Sequence, residues 1–207
     1  MIEGLKPFFN SLLRPLVRPA VAIGIRPNHI TITGLALSGI AAWLACTGRW
    51  TTACIVAVAG SLLDGLDGVV ARESNQKSTF GAILDSSCDR LTEIILLSGV
   101  LARFLTFHPA PFDREILSLP LHVWGVLFCY SAITLSLMVS YIKARCEGAG
   151  VSCSRGLLQR PERIILLCAG LLAGPAVMVW VLSAISLLSA ITAGQRLFEA
   201  YRKTKTG

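Results

Sequence analysis

Hydrophobic and polar positions along the chain fall into long apolar stretches separated by short polar breaks. Six stretches are long or apolar enough to be read as spans: 28–47, 50–72, 79–105, 120–143, 161–173 and 176–200. A bilayer crossing needs about 20 predominantly apolar residues. Pro27-Asn28 opens the first span, and Gly174-Pro175 predicts a tight exit from the short fifth. Residues 1–26 differ in pattern. Phe8, Phe9, Leu12, Leu13, Leu16 and Val17 alternate with Lys6, Arg14 and Arg18, and three prolines interrupt them. That pattern suits an amphipathic segment on an anionic membrane surface, with a disordered basic lead as the alternative. The expected fold is an all-α polytopic membrane protein: six transmembrane helices (residues 27–207) behind an N-terminal amphipathic interfacial helix (1–26).

Composition agrees. Of 207 residues, 54% are hydrophobic and 15% charged, too few charges for a soluble domain. No signal-peptide pattern is read at the N-terminus. Fifteen of the nineteen Lys and Arg residues fall in the N-terminal lead, the 72–78 and 143–163 loops and the C-terminal end. The positive-inside rule then puts both termini in the cytoplasm. The net charge of +7 follows from that asymmetry and the lipid headgroups facing it, so no nucleic acid is needed to explain it. Seven scattered cysteines form no CxxC pair and read as small buried apolar side chains, although Cys146 and Cys153 stand in a polar loop.

Against this background four carboxylates stand out. Asp64 and Asp67 lie in the last turns of the second span, and Asp85 and Asp89 in the first turns of the third. Asp64, Asp67 and Ala71 share one helix face by their i, i+3, i+7 spacing, and Gly81, Asp85 and Asp89 share another by i, i+4, i+8. The short loop between the spans predicts antiparallel neighbours with these faces meeting. Four converging carboxylates repel one another unless cations neutralise them. All-oxygen ligation favours Mg²⁺ or Mn²⁺ over zinc. Gly65, Gly68, Ala71 and Gly81 leave the helix walls bare. This is either ordinary small-residue packing or room for a phosphate-bearing ligand beside Arg72.

The pattern Asp-x2-Asp-Gly-x2-Ala-Arg-x8-Gly-x3-Asp-x3-Asp resembles the signature of the CDP-alcohol phosphotransferases, matching all eight fixed positions over residues 64–89. Pro27-Asn28-His29-Ile30-Thr31 resembles a second, looser element of that family. The resemblance implies that Asp64, Asp67 and Asp85 hold the metal, and that Asp89 is general base, further ligand or both. It implies that Asn28, Thr31, Gly68, Ala71, Arg72, Ser78 and Gly81 line the site of a CDP-lipid, CDP-diacylglycerol or a relative. It also implies a homodimer in the cytoplasmic membrane.

The acceptor is read from the region after the motif. Arg160 and Arg163 lie on one side of a helix's first turn and, with Lys143, can form a cationic pocket for an alcohol bearing a phosphate. Inositol phosphate and glycerol 3-phosphate both qualify, and contacts to membrane lipid headgroups are the plainer reading. Ser140-Tyr141-Ile142-Lys143-Ala144-Arg145 followed by Arg160-Pro161-Glu162-Arg163 resembles the phosphatidylinositol phosphate and archaetidylinositol phosphate synthases. This implies Ser140, Lys143, Arg160, Arg163 and Arg196 as ligands of inositol 1-phosphate. Phosphatidylglycerol phosphate synthesis is the alternative activity. An ion-coupled transporter is the alternative class, although no internal repeat is seen and the acids lie at span ends.

Overall fold

A computed structural model of the chain describes residues 19, 24, 26–74, 76–106, 115–153 and 155–205. The expected amphipathic segment therefore lies almost wholly outside the described residues. The described residues form six helices: α1 (Pro27–Cys46), α2 (Trp50–Glu73), α3 (Thr79–Thr106), α4 (Leu121–Gly148), α5 (Arg160–Ala173) and α6 (Pro175–Lys205). A two-stranded hairpin, β1 (Glu115–Ile116) with β2 (Leu119–Pro120), precedes α4. It is a small departure from an all-α chain. Leu117 and Ser118 turn it with positive φ at both positions, and Trp124 Nε1 donates to Ile116 O at 2.9 Å.

The helix ends follow local rules. Pro27 opens α1 after an extended Arg26. Gly48, at φ +83°, lets the chain reverse between α1 and α2 while the Arg103 guanidinium closes over it. Gln159 and Glu162 form a reciprocal cap at the start of α5, with the Gln159 N–H donating to Glu162 Oε2 at 2.7 Å. Gly174, at φ +94°, separates α5 from α6. Two helices outrun the sequence reading: α4 continues to Gly148 and α6 to Lys205.

Four helices, α1, α2, α4 and α6, are long and apolar enough to cross a membrane, and the chain is an integral membrane protein. α3 is long enough but carries Asp85, Asp89, Arg90, Glu93 and Arg103. α5 has only 14 residues, about 21 Å at 1.5 Å per residue.

α1 packs along both α2 and α3, α4 lies against α3 and α6, and α5 lies against α2 and α6. Contrary to the side-by-side pairing expected from their short connection, α2 and α3 touch each other little. The reason is the inward face of α1, built from Thr31, Gly34, Ser38, Ala41, Ala42 and Ala45. Small side chains let both neighbours approach its backbone closely. At Gly99 the approach is so close that a Cβ would overlap the backbone of Ala42. The main apolar core runs from Ala41 and Trp50 through Leu96, Phe104 and Cys129 to Leu167, Met178 and Leu182. Cys146 and Cys153 are buried, and burial pushes the Cys153 thiol up to about 11. Neither is a reactive surface thiol.

Candidate active site

The carboxylates meet although their helices do not pack face to face. Asp64, Asp67 and Asp85 each offer an oxygen, and the three lie within 4.8 Å of one another. At such separations each pair of charges repels by roughly 3–4 kcal/mol, taking an effective dielectric of about 20. Asp67 is the deepest, and Thr31 Oγ1 donates to its Oδ2 at 2.5 Å. That bond ties α1 to α2 and orients the carboxylate.

Arg160 enters from the first turn of α5. Its Nη1 lies 2.8 Å from Asp64 Oδ2 and 2.5 Å from Asp89 Oδ1, so one guanidinium spans the two aspartate helices. The Asp64 contact has hydrogen-bond geometry, whereas Asp89 Oδ1 is buried with an ion-pair neighbour but no aligned donor. Even with Arg90 close enough to act on Asp85, two guanidinium groups against four carboxylates leave a negative surplus in a partly buried site. Hard oxygen donors, no His or Cys in the cluster, and an incompletely satisfied buried carboxylate together fit a divalent cation of the Mg²⁺ or Mn²⁺ kind.

Of the residues expected to line the nucleotide, the structure brings Asn28, Ser78 and Gly81 together. Ser78 Oγ accepts the Gly81 N–H at 2.9 Å and so caps α3. A Cβ on Gly81 would press against Ser78 Oγ at 3.0 Å and reach 3.6 Å from Asn28 Oδ1, which brings Asn28, Ser78 and Gly81 together. A Cβ on Gly68 would meet nothing within 4 Å, so the α2 wall beside Asp67 is open. Ala71 is half-buried one turn further, and Arg72 is exposed at the end of α2.

The residues expected to hold the acceptor are engaged with different partners. Arg160 is held by the aspartates. Arg163, almost fully buried, grips Glu93 through Nε at 2.5 Å and Nη2 at 2.8 Å. Arg196 donates to Val139 O at 2.6 Å and to Arg155 O at 3.0 Å, joining α6 to α4 and the 151–159 loop. Lys143 is half-exposed and lies 3.8 Å from Glu147. Ser140 lines a narrow crevice with Arg90 and Glu93. Glu93 is the site residue that sequence reading missed. Its signal was present, because Glu93 continues the Gly81, Asp85, Asp89 series by one more step of four.

A family model described as CDP-alcohol phosphatidyltransferase matches residues 25–195. The chain is 31% identical to the archaetidylinositol phosphate synthase of Methanothermobacter thermautotrophicus over 209 residues, which covers 99% of this chain and 96% of that protein. The crystal structure of Mycobacterium tuberculosis phosphatidylinositol phosphate synthase, PgsA1, with CDP-DAG bound matches at TM-score 0.79 and 29% identity, over 90% of this chain and 92% of that one. A second structure of that enzyme, in complex with manganese and citrate, matches at TM-score 0.78 and 31% identity, over 90% of this chain and 88% of that one. With the motif, the fold and the carboxylate cluster in agreement with these relatives, the chain belongs to the CDP-alcohol phosphatidyltransferase family.

Proposed function

We propose that this enzyme transfers a phosphatidyl group from CDP-diacylglycerol, or its archaeol counterpart, to a hydroxyl of inositol 1-phosphate, with release of CMP. The observation that carries the reading is the meeting of Asp64, Asp67 and Asp85 within 4.8 Å, beside the open Gly68 wall and the Asn28–Ser78–Gly81 rim. Asp64, Asp67 and Asp85 would hold a divalent cation, which would supply charge neutralisation at the diphosphate and so favour CMP as leaving group. Gly68 and Gly81 give the diphosphate access to the helix backbones, and Asn28, Thr31, Ala71, Arg72 and Ser78 border the cytidine. Asp89 takes the acceptor hydroxyl's proton as its oxygen attacks the lipid-bearing phosphorus and the bond to the CMP oxygen breaks.

Inositol 1-phosphate is favoured because the relatives at 29–31% identity are named for inositol phosphate lipids and because the Arg160 guanidinium stands beside Asp64 and Asp89. By the same likeness Ser140, Lys143, Arg160, Arg163 and Arg196 are read as the residues that recognise an acceptor phosphate. In this reading α3 and α5 also span, giving six transmembrane helices in a homodimer. The site and both termini face the cytoplasm across the cytoplasmic membrane, where CDP-lipid headgroups are reachable. Family membership removes the ion-coupled transporter.

The test is CMP release by purified protein with CDP-diacylglycerol, Mg²⁺ or Mn²⁺, and each acceptor in turn. Release with inositol 1-phosphate is expected. Release with glycerol 3-phosphate alone would replace the acceptor by the phosphatidylglycerol phosphate alternative, and no release with any alcohol would reject the reaction.

A further inference from the structure

Between α4 and α5 the described backbone belongs to no helix or strand, yet parts of it are buried, Cys153 at 2% and Leu158 at 4% exposure. Buried backbone N–H and C=O groups require partners. Side chains of α6 supply them. Thr192 Oγ1 accepts the Leu158 N–H at 3.1 Å. Arg196 Nε donates to Arg155 O at 3.0 Å, and Glu199 Oε2 accepts the Arg155 N–H at 3.2 Å. Lys203 Nζ donates to Ser152 O at 2.5 Å and to Ser152 Oγ at 3.1 Å, and lies 2.8 Å from Glu199.

Thr192, Arg196, Glu199 and Lys203 follow one another at helical spacing, so they form a single stripe of α6 about 16 Å long. Their partners run the other way, from Leu158 through Arg155 to Ser152, so the segment lies antiparallel along the stripe. The contact is close. A Cβ on Gly156 would lie 2.5 Å from Thr192 Cγ2, and the glycine lets the backbone reach the threonine.

The held segment ends where the site begins. Gln159 caps α5, and Arg160 in the first turn spans Asp64 and Asp89. Arg163, one turn on, donates back to Leu158 O through Nη1 at 3.5 Å. Only Gln159 stands between Leu158 and Arg160. So short a connection passes the position of Leu158 directly to the start of α5, and with it to the reach of the Arg160 guanidinium.

We propose that this stripe is the positioning element for Arg160, with Thr192 and Glu199 as its positioning residues. Their hydrogen bonds go to the segment and not to the carboxylates of the site. By fixing the segment they hold the guanidinium between Asp64 and Asp89, where it also meets the acceptor phosphate. The acceptor part rests on the function proposed above, whereas the placement between the aspartates does not.

Two measurements on the full chain test it, each comparing Thr192→Val, which keeps the shape and loses the hydroxyl, with Thr192→Ser, which keeps the hydroxyl. In CMP release, Thr192→Val should raise KM for inositol 1-phosphate by about fivefold, the equivalent of one hydrogen bond, with kcat and KM for CDP-diacylglycerol nearly unchanged, and Thr192→Ser should behave as wild type. In Mn²⁺ titration calorimetry, a displaced Arg160 competes less for Asp64, so Thr192→Val should tighten binding by about twofold or more, the lower end for coupled residues. The same change made in Arg160→Ala should leave Mn²⁺ affinity where it is, because the group being positioned is gone. Should Thr192→Val not fold, Glu199→Ala against Glu199→Gln carries both comparisons. Equal effects on the KM of the two substrates, no difference between the Val and Ser variants, or the same Mn²⁺ shift with and without Arg160 would each overturn the proposal. A wild type that ignores inositol 1-phosphate would reject the acceptor instead, and the Mn²⁺ comparison then decides the positioning role by itself.

Discussion

Arg163 and Glu93 form a two-pronged ion pair inside the bundle, with side chains only 2% and 7% exposed. The pair joins α5 to α3, two helices whose backbones are otherwise not close neighbours. Both prongs of the guanidinium are used, so Arg163 is a structural clamp as well as a neighbour of the site.

Breaking that clamp from one side leaves a buried charge without a partner, at a cost of about 3–5 kcal/mol. Glu93→Gln is therefore expected to lower the thermal midpoint in detergent by many degrees. Replacing both groups, as Glu93→Leu with Arg163→Met, should recover most of the loss. Arg163→Ala should likewise reduce folded protein before any change in acceptor KM is measurable. A Glu93→Gln protein that melts with the wild type would contradict the clamp.

Arg160 is the counter-charge of Asp64 and Asp89. Its removal exposes four carboxylates to one another, so Arg160→Ala should destabilise the metal-free protein. The variant should then gain more thermal stability from added Mn²⁺ than the wild type does. Thermal unfolding with and without the ion measures both effects, and equal gains in the two proteins would count against this role.

The carboxylates should separate into two kinds by metal binding. Asp67→Asn or Asp85→Asn is expected to weaken Mn²⁺ binding, read by titration calorimetry, and to abolish CMP release with it. Asp89→Asn should reduce turnover by about 10²- to 10⁴-fold, the usual contribution of a general base. Retained Mn²⁺ affinity in that variant would identify Asp89 as base alone, and lost affinity would make it a ligand too. Chelation of the wild type should stop CMP release, and Mg²⁺ or Mn²⁺ should restore it.

The α1–α3 contact gives a prediction away from the chemistry. Gly99→Ala places a methyl into the Ala42 backbone and should destabilise by about 1–3 kcal/mol, the usual cost of overpacking. Gly39→Ala, on the same α1 but with open space around it, should be neutral or slightly stabilising through better helix propensity. Unfolding midpoints of the two variants, measured side by side, check the contrast.

Much of the molecule was legible in one dimension. Apolar run lengths located the helices, because the bilayer sets the length of an apolar segment. Proline and glycine marked their ends, because Pro27 lacks the N–H that a first turn does not use and Gly174 can take a positive φ. The 3- and 4-residue spacings placed each pair of aspartates on one face, because a helix repeats every 3.6 residues.

What sequence by itself determined was therefore periodic in origin: the helices, the two aspartate faces, and a charge type that calls for a hard divalent cation. Partnership was decided only by the tertiary structure. No spacing rule says that α1 is the common neighbour of α2 and α3, that Thr31 binds Asp67, that Arg160 bridges Asp64 to Asp89, or that Arg163 belongs to Glu93. Such pairings depend on how closely helix backbones approach, which is set by the small residues at their crossings. They depend also on which buried charge lies within reach of which opposite charge once the bundle has closed.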